Sequence, residues 1–130
     1  MWVRKAPVNE IRNFSTESTT GRKSVSLDND FGKDVEILDI SLTLWMGGAT
    51  NNGFTPVNVW TQDPTPSFRR DWITSGRFIP TYNGNYASHH WHGNFIWKRG
   101  KRLIIEWFVV DASVTVRLDY VIKWRAINGQ

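Results

Sequence analysis

The sequence predicts an all-β protein, an antiparallel β-sandwich of about seven or eight short strands. Three observations carry this. Apolar residues recur at alternate positions, and no long window repeats at the helical period. Glycine, proline and Asn-Gly pairs punctuate the chain at Gly47-Gly48, Asn52-Gly53, Pro64, Pro66, Asn83-Gly84 and Gly100. One run, "LIIEWFVV" at 103–110, is apolar on both parities except for Glu106, the pattern of a strand covered on two sides.

Taken in order, residues 1–24 form a basic N-terminal arm and polar connector, and 25–130 form the sandwich domain. The connector "STESTTGRKS" at 15–24 has no apolar anchors; an eighth strand arises only if part of 2–14 pairs. Strands are expected at 25–31, 35–46, 56–62, 72–80, 92–98, 102–110 and 114–126. In the last, Val114, Val116, Leu118, Tyr120, Ile122, Trp124 and Ala126 share one parity, and Thr115, Arg117, Asp119, Lys123 and Arg125 take the other. Successive side chains on a strand point to opposite faces, so one face is buried. In "VEILDISLTLWM", Leu38, Ile40, Leu42, Leu44 and Met46 share a face while Val35 and Ile37 oppose it, a parity switch that predicts a bulge near Ile37 and Leu38. Helix is confined at most to a short turn after Thr65-Pro66.

The chain has 130 residues, no cysteine and a formal charge of +4. A core of its own is therefore attainable, while disulfides and thiolate metal sites are excluded. No apolar run follows Arg4 and Lys5 in "MWVRKAPVNE", so no signal peptide is expected. The longest uncharged stretch, Ile40 to Gln62, is too broken for membrane insertion. Charge is segregated: Arg4, Lys5, Arg12, Arg22 and Lys23 lie in the arm, five acids lie between Asp28 and Asp39, and Lys98, Arg99, Lys101 and Arg102 crowd around Gly100. Such blocks suit pairing between copies or contact with a polyanion such as nucleic acid.

"ASHHWHGNF" at 87–95 raises the question of a metal. On a strand, His90 and His92 share a face at i and i+2 and are candidate ligands, with His89 and Trp91 turned away. Two ligands are half a site, and no Asp or Glu lies between Asp71 and Glu106. No metal and no cofactor are expected. "DNDFGKD" at 28–34 resembles part of a calcium loop but lacks its closing glutamate; a hairpin turn of Asn, Asp and Gly accounts for it. A hydrolase would have to use His89, His90, His92 and Glu106, and no serine sits in a Gly-x-Ser-x-Gly turn. Glu106 reads more simply as the ion-pair partner of Arg102 or Arg117. No catalytic residues are assigned, and the chain is expected not to be an enzyme.

The eight tryptophans are more than a core of this size needs. Trp107 and Trp124 fall on apolar parities. Trp45 shares its face with Asp39, Ser41 and Thr43, and Trp60 with Asn58 and Gln62, so both are expected to point outward. With Ile104, Phe108 and Val110 they make a candidate subunit or partner interface; an exposed indole is equally a platform for a glycan.

The layout of basic arm, polar connector and about eight strands resembles the single-jelly-roll capsid and virion proteins of viruses. "KRGKRLIIEWFVVDASVTVRLDYVIKW", a basic tight turn and two long closing strands, is similar to the end of such a sandwich. The resemblance implies a jelly-roll fold, assembly with copies of itself or other virion proteins, and basic residues facing a genome. It implies a virion protein assembled in the host cytoplasm, as capsid, cement or vertex component. The alternative is a carbohydrate-binding module using Trp45, Trp60 and Trp91.

Overall fold

The computed structural model describes residues 6–45, 55–78, 86–109 and 115–127. Its strands are β1 (Asn9–Glu17), β2 (Gly21–Asp28), β3 (Val35–Trp45), β4 (Thr55–Gln62), β5 (Arg70–Phe78), β6 (Tyr86–Trp97), β7 (Arg102–Val109) and β8 (Val116–Ala126). They form two four-stranded sheets, ordered β1-β8-β3-β6 and β2-β7-β4-β5. All the pairings are antiparallel, and they are nested: β1 with β8, β2 with β7, β3 with β6, β4 with β5. A chain doubled back at β4 and β5, then rolled so that successive pairs fall on alternate sheets, produces this jelly-roll-like order. Within each sheet the pairs are joined by β3 against β8 and by β4 against β7.

The core lies where the two inner faces meet. Val116, Leu118, Tyr120 and Ile122 of β8 are buried, and Arg117, Asp119, Val121 and Lys123 face out. From β3 come Ile37, Ile40, Leu42 and Leu44; across the sandwich stand Leu103, Ile105, Trp107 and Val109 of β7 with Val57 and Val59 of β4. Each fully buried aliphatic or aromatic side chain contributes about 1.5–3 kcal/mol. The register of β3 shifts between Ile37 and Asp39 against both neighbours. That is where the parity switch predicted a bulge.

The reading of residues 1–24 as arm and connector is corrected. Residues 9–17 pair along their whole length with β8, from Asn9 opposite Trp124 to Glu17 opposite Val116, and Gly21 begins β2. An edge strand gains its ladder from the partner's backbone and needs few apolar side chains of its own. Ile11, Val25 and Leu27 are the ones packed against the core. Gly21, at φ 125°, takes a backbone conformation that favours glycine at the corner between the two strands.

One local expectation holds and another changes. The residues after Pro64 make a turn, with Ser67 N–H donating to the Pro64 carbonyl at 3.2 Å, and no helix occurs among the described residues. Residues 28–34 are no hairpin, because β2 and β3 lie in different sheets. They form a crossing pinned by buried Asn29, whose Nδ2 donates to the carbonyls of Trp97 (2.8 Å) and Lys33 (3.1 Å) and whose Oδ1 accepts from Phe31 N–H (3.2 Å). Phe31 then covers this end of the core, edge-on to Trp97 at 5.8 Å and against Trp124 at 4.2 Å.

Candidate binding surfaces on the outer faces

The outer face of β2-β7-β4-β5 is a grid of cross-strand rows. Ile104 faces Ser26 on one side and Trp60 on the other, and Trp60 faces Trp72; the next row runs Ser24, Glu106, Asn58, Ser75. Asp28, Arg102, Gln62 and Arg70 make a charged row, and Phe108 lies opposite Arg22. Phe108 is 38% exposed and Trp72 54% exposed, and Ile104 is half-buried. Val110 lies outside the described residues.

Trp60 is corrected. It points to the outer face as its parity requires, yet it is only 2% exposed. Trp72 packs on it at 5.1 Å, the Arg70 guanidinium lies 4.6 Å from its ring, and its Nε1 donates to Gln62 Oε1 at 3.1 Å. A register shift between Val59 and Trp60 sets Trp72 directly opposite. The exposed indole of this face is therefore Trp72, which the sequence reading did not single out. Glu106 also has a different partner from those expected: Arg22 Nε lies 3.9 Å away, and Asn58 Nδ2 donates to it at 3.4 Å.

On the outer face of β1-β8-β3-β6, Trp45 is exposed as expected. Its Nε1 donates to Asp119 Oδ2 at 2.7 Å, and Arg117 Nε donates to Asp119 Oδ1 at 2.8 Å. Tyr86 lies beside Trp45, at 5.2 Å and tilted by 37°. The Arg117 guanidinium stacks on exposed Phe14 at 4.1 Å. Between Phe14 and Trp45 runs a groove of ≈ 500 Å³, whose lining includes Arg12, Ser41, Thr43 and Val121. That volume is within the range of small-ligand sites.

The histidines are sorted as their alternation requires. His90 and His92 face out, and His89 turns inward, its Nε2 2.9 Å from Thr74 Oγ1. His90 Nε2 donates to Asp39 Oδ2 at 2.8 Å, His92 Nδ1 is 3.5 Å from the same oxygen, and Ser41 Oγ donates to Asp39 Oδ1 at 3.2 Å. Burial works to raise the Asp39 pKa, but the hydrogen bonds and the His90 charge outweigh it and hold the carboxyl below its ordinary value. Burial, helped by the neighbouring His90 charge, lowers the His89 pKa. Among the described residues no group of three or more His, Cys, Asp or Glu is disposed to hold a metal ion.

The basic residues do not converge. Arg12 lies on one outer face, Arg22 and Arg102 on the other, and exposed Lys98 and Arg99 on the β6–β7 turn. Several are engaged: Arg12 with Glu10 (3.4 Å), Lys23 with Glu17 (4.0 Å) and Arg102 with Asp28 (3.7 Å). The backbone N–H of Arg99 donates to Asp34 at 2.7 Å. Lys101 is corrected from a polyanion contact to an internal strut, 15% exposed between Asp63 (2.9 Å) and Asp71 (2.8 Å). Arg4 and Lys5 lie outside the described residues.

The fold is a small antiparallel β-sandwich with aromatic and charged side chains on both outer faces. No protein-family model matches the chain, and no curated protein matches it. Among solved structures, it is similar to the Yersinia pseudotuberculosis-derived mitogen, with a TM-score of 0.46 and 11% identity over 94% of this chain and 89% of that one. A likeness this loose carries no argument.

Proposed function

We propose that this chain is a non-enzymatic structural protein that assembles with copies of itself through the outer face of β2-β7-β4-β5, as a unit of a larger particle such as a virion. The observation that carries the reading is the apolar bar Ile104–Trp60–Trp72, with Trp72 its exposed ring, and exposed Phe108 on the same face two rows away across Glu106. Aromatic anchors of this kind dominate protein interfaces. The bar is flanked by Arg22, Arg70 and Arg102 and by Asp28 and Glu106. A patch bearing both signs can meet its own copy about a two-fold axis.

Sedimentation and light scattering up to the solubility limit test this. An assembly that Phe108→Asp or Trp72→Asp dissociates, with the β-sheet spectrum unchanged, is the expected result. A wild-type chain that stays monomeric throughout overturns it. The rival reading as a carbohydrate-binding module keeps only Trp45 of its three expected tryptophans, since Trp60 is buried and Trp91 turns toward the core.

A further inference from the structure

We propose that the groove on the opposite sheet, between Phe14 and Trp45, is a binding site for a neutral pyranose glycan. Sugars present two kinds of surface: C–H faces that stack on aromatic rings and hydroxyls that both donate and accept. The groove offers both in the corresponding places. Its walls are rings, Trp45 on β3 and Phe14 on β1, and Tyr86 packs against Trp45 from β6. Polar groups lie between and beside them: the hydroxyls of Ser41 and Thr43, the Asp119 carboxylate, and the guanidiniums of Arg12 and Arg117.

The two rings that matter are held in advance. Asp119 fixes Trp45 through its indole N–H, and the same carboxylate holds Arg117, whose guanidinium covers one face of Phe14. A ring already locked by packing and hydrogen bonds loses little freedom when a ligand docks, which raises affinity. The charge pattern selects the ligand class. Arg117 is neutralised by Asp119 and Arg12 lies by Glu10, so the groove presents donors and acceptors with little excess charge. Hydroxyls satisfy it. A second copy of the chain would need the continuous apolar bar that the other sheet has and this groove lacks.

The test is binding of the purified full chain to a panel of neutral gluco-, manno- and galacto-oligosaccharides, read by saturation-transfer NMR and isothermal titration. The expected result is binding to at least one member, weakened about tenfold or more by Trp45→Ala and weakened also by Asp119→Ala, which frees the indole without removing it. Phe68→Ala, at an exposed ring in the turn between β4 and β5, leaves that binding unchanged. The proposal is overturned if no member binds, if Trp45→Ala and Asp119→Ala leave binding intact, or if Trp45→Ala changes only the sedimentation of the protein. The last outcome would make this face a protein interface. Because the assembly variants Phe108→Asp and Trp72→Asp lie on the other sheet, either reading can fail alone.

Discussion

Lys101 Nζ lies 2.8 Å from Asp71 Oδ2, which ties the β6–β7 turn to β5, and Asp63 completes the clasp. Hydrogen bonds from Lys101 hold both carboxyls below their ordinary value of 3.8, and the same bonds raise Lys101 above 10.5. A depressed carboxyl stabilises fully above its unfolded pKa and loses that contribution as pH falls through its folded one. A raised lysine stabilises fully below its unfolded pKa and loses its contribution as pH rises through the folded one. The clasp therefore works from weakly acidic to moderately alkaline pH. Lys101→Met should lower the melting temperature at pH 7 by a few degrees, and the gap from wild type should narrow as acid protonates Asp63 and Asp71 below their ordinary value of 3.8.

Asn29 should tolerate neither alanine nor aspartate. Asn29→Ala leaves the Trp97 and Lys33 carbonyls without their donor, at about 2–3 kcal/mol. Asn29→Asp should cost more at pH 7, because a carboxylate would face those two carbonyl oxygens. Protonation restores a donor, so the difference between the two variants should shrink as pH falls. Urea unfolding at pH 7 and pH 4 measures it.

Gly76 makes room for His89. A Cβ at Gly76 would stand 2.5 Å from His89 Cε1, so Gly76→Ala must swing the imidazole away and break its contact with Thr74. A loss of about 1–2 kcal/mol is expected. In a His89→Ala background the same change should be neutral or mildly stabilising, since alanine suits a strand better than glycine. A double-mutant cycle reads the coupling.

Two core tryptophans should respond differently to phenylalanine. Trp97 Nε1 donates to the Lys101 carbonyl at 2.9 Å, while Trp107 Nε1 is buried with no hydrogen-bond partner among the described residues. Trp97→Phe removes a hydrogen bond to a carbonyl that is left with the Asn29 N–H, at 3.2 Å, whereas Trp107→Phe removes an unpaired donor. The first should cost at least about 1 kcal/mol more than the second in chemical denaturation.

What the sequence made legible is what alternation within one strand encodes. The buried parity of β8, the bulge in β3 and the outward Trp45 all follow from local spacing. Trp60 was placed on the correct face, yet its cover comes from Trp72 and Arg70 on the neighbouring strand, and spacing within β4 carries no trace of them. The sequence leaves β1 conditional on part of 2–14 pairing, because its partner is β8, at the other end of the domain, and its own residues are mostly polar. The groove draws Phe14, Trp45 and Asp119 from three different strands. Only Trp45 could be singled out before those strands were placed side by side.

The nesting of the strand pairs bears on how the chain reaches its fold. With β1 waiting for β8 and β2 for β7, no early portion emerging from a ribosome can complete either sheet; β3 and β4 too must wait for later partners. Contacts so distant along the chain slow folding to milliseconds or seconds and leave strand edges open meanwhile. The largely polar β1 and the arginine- and lysine-bearing β2 are the strands that wait longest. Their poverty in apolar side chains protects the nascent chain from sticking to its neighbours before the last strand arrives.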